Sequence, residues 1–313
     1  MTPTAFVREV EKLLKAHGFH YALSESPSDT CFNLVAKGEG VSLIARALED
    51  LAKARRDQVE ELCAISNWVA AIPLLIAKRF GDEELDDDAV YLKNGVYAVS
   101  PRALERTLEG DPPLVEVSPM GCFVYIDGEL VKKRREELGL SVGELARMVG
   151  VSRMTIYSYE RGKKRTTPGI AYRLEYVLGI PIVVPMNPLA PRPSEQYSAP
   201  RTKAVLRDLP GRGLLKLVFR LLERLKLMIM AFFSAPFEMM VKHGDIKVAV
   251  NIVHGGDYDE ERIRATRDFA EVMELNHLVV GPEGYECPHD VTSVCVKELK
   301  NMRSPKDFAK LFT

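Results

Sequence analysis

Apolar and polar positions follow two rhythms along the chain, and the changes between them mark its elements. Phe6, Val7, Val10, Leu13 and Leu14 recur at helical spacing and predict a helix over 4–17, stopped by Gly18. Strands are predicted at 19–24, 31–37 and 41–47, with turn-like residues at 25–30 and a tight turn at 38–40. A helix with a dense charged face follows over 52–66. The run 68–77, from Trp68 to Ala77, is apolar throughout and predicts a strand buried on both faces. After an acidic loop at 83–88, Asn94-Gly95 sits between two short apolar runs, a strong hairpin signal. Ser100-Pro101 then opens a helix to Leu108. Alternation around Pro119-Met120-Gly121 predicts a further hairpin over 114–126.

The rhythm becomes wholly helical over 128–181. Residues 129–138 form a basic helix ended by Gly139. Ser141 and Glu144 have the spacing of a capping box, and Val142, Leu145, Ala146 and Val149 give the next helix its apolar face. Gly150 suits a left-handed turn, with Val151 tucked inward behind it. Ser152 caps a third helix over 153–160, in which Ile156 and Tyr157 are expected to pack inward. Pro168 opens a fourth helix, closed at Gly179. Helix, short glycine turn, helix is the plan in which the start of the second helix of the motif faces base edges.

Residues 181–200 contain six prolines and predict an extended linker. An amphipathic helix over 213–226 follows. The pattern then repeats. Residues 32–37 match 237–242 at an offset of 205, and 41–47 match 246–252. The charged helix 52–66 corresponds to 259–275, the strand 74–77 to 278–281, and Ser100-Pro101 to Ser304-Pro305. A nearly constant offset predicts an internal duplication flanking the helical block.

Charge sharpens one part of this picture. The whole chain has a formal net charge of −1, yet 128–165 carries ten Lys and Arg against five Glu, a local charge of +5. A basic island on a neutral protein suits contact with phosphates. The hydrophobic fraction of 46% and charged fraction of 28% are those of an ordinary globular chain. Early charges exclude a signal peptide, and Lys216, Arg220, Glu223, Arg224 and Lys226 interrupt the most apolar stretch, so a cytoplasmic protein without a membrane span is expected. The five cysteines form no CxxC pair, and the histidines 243, 254, 277 and 289 are separated by whole elements. Neither set argues for a metal.

The helical block resembles the lambda-repressor/Cro DNA-binding domains. The resemblance rests on Leu130, Arg134–Leu138, Gly139-Leu140-Ser141, Glu144-Leu145-Ala146, Gly150-Val151-Ser152, Ile156 and Tyr159-Glu160-Arg161-Gly162. Together with Gly128-Glu129-Leu130 and Tyr91…Ser100-Pro101, the whole-chain order resembles archaeal helix-turn-helix transcriptional regulators. The resemblance implies a partner, double-stranded DNA, and a homodimer, because one recognition helix reads only a few base pairs. It assigns base reading to Ser152, Arg153, Met154, Thr155 and Ser158. Phosphate contact falls to Lys132, Lys133, Ser141, Arg147, Arg161, Lys163 and Lys164.

The flanking units resemble the restriction-endonuclease-like PD-(D/E)xK fold, whose chemistry needs an Asp on the second strand and Glu-x-Lys on the third to hold Mg²⁺. At the Asp position stand Asn33 and Glu238. At the Glu-x-Lys position stand Ile44-Ala45-Arg46 and Ala249-Val250-Asn251. Ile44 and Ala249 cannot bind a metal, so no catalytic residue, metal or cofactor is assigned, and the chain is expected not to be an enzyme. The fold class is thus multidomain, an all-α helix-turn-helix domain between two α/β restriction-endonuclease-like units. The boundaries are 1–110 for the first unit, 111–127 for a hairpin connector, 128–181 for the DNA-binding domain, 182–204 for the linker and 205–313 for the second unit. Two alternatives stay open: a metal-dependent nuclease targeted by the helix-turn-helix, with Glu238, Asp245 and Asp257 as an imaginable cluster, and a ligand-sensing regulator.

Overall fold

The computed structural model describes residues 5–24, 30–38, 40–162, 164–190, 213–253, 259–284 and 291–312. The predicted turn at 25–29, Glu39, Lys163, the linker from 191, His254, Asp257 and His289 lie outside the described residues.

Helix α1 (Ala5–Ala16) buries Phe6, Val7, Val10 and Leu14, as its spacing predicts. Strands β1 (His20–Leu23), β2 (Leu34–Gly38) and β3 (Val41–Asp50) follow. Helix α2 (Arg56–Val69) is longer than its sequence pattern indicates. It continues through Trp68 and ends only where Ala70 takes a left-handed conformation, φ 62°. The Ala71 amide then donates to the Ser66 carbonyl at 2.8 Å, closing the helix end. The strand expected from Trp68 therefore begins later, as β4 (Ile72–Phe80). An apolar run has no period of its own. Its first residues continue the face already set by Leu62 and Ile65, and the helix wins them.

Short β5 (Glu83–Glu84) precedes the hairpin β6 (Ala89–Lys93) and β7 (Val96–Val99), whose turn has φ 50° at Asn94 and 87° at Gly95. Ser100 caps α3 (Pro101–Leu108), its hydroxyl accepting from the Ala103 amide. Strands β8 (Val115–Ser118) and β9 (Gly121–Ile126) form the second predicted hairpin. Next come α4 (Gly128–Glu137), α5 (Val142–Val149), α6 (Arg153–Glu160), β10 (Lys164–Thr166), α7 (Pro168–Leu178) and β11 (Val183–Val184). The last part of the chain holds α8 (Gly213–Arg224), β12 (Met228–Ala231), β13 (Met239–His243), β14 (Ile246–Ile252), α9 (Glu260–Val272), β15 (Asn276–Gly281), β16 (Thr292–Cys295), α10 (Val296–Asn301) and α11 (Pro305–Ala309).

Contacts divide the chain into two compact units, 1–47 with 54–73 and 192–313, and 48–53 with 74–191. In the first unit, β1, β2 and β3 are antiparallel neighbours, with Leu34 opposite Ala45. Strands β12, β13 and β14 repeat that arrangement, with Met239 opposite Val250, the same register displaced by 205. Parallel β15 and β16 extend this second sheet. Helix α9 packs on β14 and β15 and also on β1 and β2, so it lies between the two sheets. Phe269 of this helix packs against Phe32 and Phe237, and Phe232 packs edge-on to Phe237. The Glu61 carboxylate ties the halves further, accepting from the Phe233 and Ser234 amides at 2.9 and 2.8 Å and from the Ser234 hydroxyl at 2.6 Å. Cys31 is wholly buried here, and burial pushes its thiol pKa far up.

In the second unit β4 pairs in parallel with β7, β6 in parallel with β8, and β9 takes β8, β10 and β11 as antiparallel partners. The start of the predicted linker is thus a strand, with Val183 opposite Ile126. Met186 and Leu189 are buried beyond it, and the Met186 amide donates to the Pro113 carbonyl at 2.7 Å. Proline spacing alone reads as extended chain. Extended chain with apolar residues between the prolines is also what a sheet edge accepts.

Candidate nucleic-acid interface

The hairpin β8–β9 serves as part of the helical core: Val124 and Ile126 pack with Val131, Leu145, Val149, Ile156, Leu174 and Leu178. Asp127 caps α4 directly after the strand, accepting from the Glu129 and Leu130 amides at 3.0 and 3.1 Å. Gly128 comes next because nothing larger fits. A Cβ there would collide with the Tyr159 carbonyl oxygen and lie 2.5 Å from that of Gly162. The backbone of α4 thereby touches the end of α6.

The capping box of α5 is present in both directions, with Ser141 Oγ accepting from the Glu144 amide at 3.2 Å and Glu144 Oε2 from the Ser141 amide at 2.8 Å. These bonds hold the Glu144 carboxyl below its ordinary range. Gly150 ends α5 at φ 77°. Ser152 Oγ accepts from the Thr155 amide at 3.0 Å and lies 2.8 Å from Thr155 Oγ1. A second anchor holds α6. The Arg135 guanidinium spans α4 to α6, with Nε 2.5 Å and Nη2 3.0 Å from the two Glu160 oxygens, and Nη1 reaches the Leu140 carbonyl at 2.9 Å. Both side chains are nearly buried, and Glu160 raises the Arg135 pKa above its ordinary value.

On α6 the buried pair is Ile156 and Tyr159, and the Tyr159 hydroxyl lies 2.7 Å from that of Thr166. The expectation that Tyr157 packs inward is overturned, since it is 48% exposed. With 156 and 159 fixed inside, position 157 falls on the outer face of a 3.6-residue helix beside 153, 154 and 158. Arg153, Met154 and Ser158 are exposed there, Thr155 is half-buried, and Ser152 is exposed but occupied as the cap. The spacing of 156 to 159 was the signal that could have placed Tyr157.

Lys132, Lys133, Ser141, Arg147 and Arg161 are exposed. Lys163 and the Lys164 side chain lie outside the described residues. Among the described residues, three of the basic residues counted in the sequence have structural partners. Arg135 is paired as above, Arg134 Nε donates to the Leu178 carbonyl at 3.0 Å, and Arg165 lies over the Phe123 ring at 4.3 Å beside Glu116. A further residue was missed in the sequence. At Gly143 an added Cβ would stand 2.8 Å from Arg153 Nε and 3.1 Å from its Cζ, so the guanidinium rests on the bare backbone of α5.

The nuclease-like positions are arranged differently. Asn33 Oδ1 accepts from the Ala47 amide and its Nδ2 donates to the Ala47 carbonyl, both at 2.8 Å. At the corresponding place Glu238 Oε2 accepts from the Ile252 amide at 2.9 Å, and Oε1 lies 2.6 Å from Arg262 Nη1. Ile44 and Ala249 are wholly buried. Asn251 lies 2.8 Å from His277 Nε2.

Comparison with known proteins finds both kinds of domain. A PD-(D/E)XK superfamily domain matches residues 4–113, and a helix-turn-helix matches 131–184. A relative from Pyrococcus horikoshii named "Putative HTH-type transcriptional regulatory protein" is 33% identical over 287 residues, covering 91% of this chain and 86% of its own. The chain belongs to this family of archaeal HTH-type transcriptional regulatory proteins. A member from Pyrococcus furiosus is 35% identical over 277 residues, 87% of this chain and 84% of its own. One from Methanocaldococcus jannaschii is 28% identical over 301 residues, 95% and 92%. No solved structure matches. The helix-turn-helix match ends at Val184, so it includes β11. No helix among the described residues is long and apolar enough to cross a membrane.

Proposed function

We propose that this family member is a sequence-specific regulator of transcription that binds double-stranded DNA as a homodimer, with α6 in the major groove. One observation carries the reading: α6 is fixed from behind by Ile156, Tyr159 and the Arg135–Glu160 pair while Arg153, Met154, Tyr157 and Ser158 stand outward together. Arg153 suits a bidentate bond to guanine, and Met154 a thymine methyl. Ser158, the half-buried Thr155 and the cap Ser152 complete the reading face. Lys132, Lys133, Ser141, Arg147, Arg161, Lys163 and Lys164 take the phosphates.

The α/β units act as scaffold in this reading, and neither is a nuclease. A Mg²⁺ site needs carboxylates at two adjacent positions. Here Asn33 and Glu238 bind backbone, Ile44 and Ala249 are apolar core, and the Arg262 guanidinium already compensates Glu238. The shared register at an offset of 205 supports an internal duplication. Selection of bound sites from random duplex DNA tests the reading. A palindrome with half-sites about one helical turn apart is expected. No enrichment, or Mg²⁺-dependent cleavage lost in Glu238→Ala, would overturn it.

A further inference from the structure

We propose that the cationic face formed by α8, α10 and α11 is a second binding surface for the phosphate backbone of double-stranded DNA. Residues 213–226 and 296–312 carry nine Lys and Arg against three acidic residues, in a chain of net charge −1. Helices α8 and α10 pack together. Arg224 Nη2 donates to the Lys300 carbonyl at 2.8 Å and the Met302 carbonyl at 3.0 Å, so it caps the end of α10 between Lys300 and Arg303. Arg224 is thus held against the backbone segment that carries Lys300 and Arg303.

Lys297 pairs with Glu283 at 2.9 Å, while Glu298 and Asp307 are engaged mainly by backbone amides. Glu298 accepts from the Cys295 amide at 2.7 Å, and Asp307 from the Arg303 and Ser304 amides at 3.1 and 3.0 Å. Asp307 is also 3.8 Å from Lys310. Arg220, Lys300, Arg303 and Lys306 are exposed and make no ion pair with a described residue. Crowded like charges oppose folding, so a polyanion that relieves the repulsion gains by it. The fold does not require this charge. On α3, which corresponds to α11 at an offset of 204, Arg102 pairs with Glu105 at 2.5 Å and Arg106 with Asp88 and Asp111.

The chemistry of the face selects among polyanions. No large exposed apolar side chain falls within the described residues of these two stretches. Insertion into a lipid surface needs such residues, and single-stranded nucleic acid needs exposed aromatic rings. Point charges spread over helical surfaces at spacings of three and four residues suit duplex phosphates. The surface is argued from its own charges, while its regulatory meaning rests on the reading of α6.

The test titrates the full chain onto a fluorescent random-sequence duplex of about four helical turns at several salt concentrations. The variant Arg220→Gln/Lys300→Gln/Arg303→Gln/Lys306→Gln is expected to lower the slope of log K against log[salt] by about 3–4 and weaken binding about tenfold or more. It should keep the choice of operator. A milder Arg220→Gln/Lys306→Gln variant should give about half the slope change. The variant Lys132→Gln/Lys133→Gln/Arg153→Ala should lose operator choice yet keep the contribution of the second face. Unchanged slopes in both glutamine variants would overturn the proposal and leave α6 standing. Loss only in those variants would overturn the α6 reading instead. Loss of binding to anionic vesicles or single strands, with duplex binding intact, also counts against the proposal.

Discussion

The rings of Phe32 and Phe237 lie with centroids 6.4 Å apart and planes inclined at 45°, and the two residues are 205 positions apart in sequence. Each lies just ahead of an equivalent strand, β2 or β13, and each contacts Phe269, at 5.4 and 5.1 Å. Phe237→Ala is expected to cost about 3–5 kcal/mol in denaturant unfolding of the full chain. A double-mutant cycle with Phe32→Ala should show coupling of about 0.5–1.5 kcal/mol. Strict additivity would mean the two rings do not act together.

Arg135 and Glu160 pair in a nearly buried, bidentate contact between α4 and α6. Glu160→Ala leaves the guanidinium without its partner and should destabilise the chain by about 3 kcal/mol. Loss of the anchor at the end of α6 should weaken binding to all DNA sequences alike. Chemical unfolding and operator titration measure the two effects separately, and a variant as stable as the parent would show that water replaces the carboxylate.

Arg153 and Gly143 give a prediction in which stability and recognition part. Gly143→Ala places a methyl where the guanidinium rests, and a flexible side chain yields to it. Alanine also favours the helix by about 1 kcal/mol. The melting temperature should therefore hold or rise while discrimination at the base pair read by Arg153 changes. Arg153→Ala should cost about 1–3 kcal/mol at that pair and little on non-specific DNA. If Gly143→Ala binds every operator variant as the parent does, the seat has no role in reading.

Burial raises the Glu238 pKa above its ordinary value of 4.5, opposed by Arg262 and the Ile252 amide. The folded state therefore holds its proton to higher pH than the unfolded chain. Stability contributed at this site is present at low pH and falls as pH rises above 4.5 toward the folded value. Glu238→Gln fixes the neutral form, so the stability of the parent relative to this variant should decline with rising pH across that window. A difference that grows with pH would show that Arg262 outweighs the cost of burial.

Local chemistry made the helix-turn-helix legible. Its capping box, the cap at Ser152, the left-handed Gly150 and the proline at the start of α7 are short-range signals, complete within a few residues. The Asn94-Gly95 hairpin is of the same kind. The common register of β2–β3 and β13–β14 was legible too, as a constant spacing of 205. The tertiary structure decided what depends on which face is buried and by what. Tyr157 stands outward because Ile156 and Tyr159 take the core. Trp68 belongs to a helix because its face was already set, and residues 183–184 form a strand because β9 offers an open edge. The meeting of Phe32 with Phe237, the Arg135–Glu160 anchor and the bonds from Arg224 to the Lys300 and Met302 carbonyls join residues distant in sequence. Such contacts arise from burial and charge competing across the whole fold, and no local pattern encodes them.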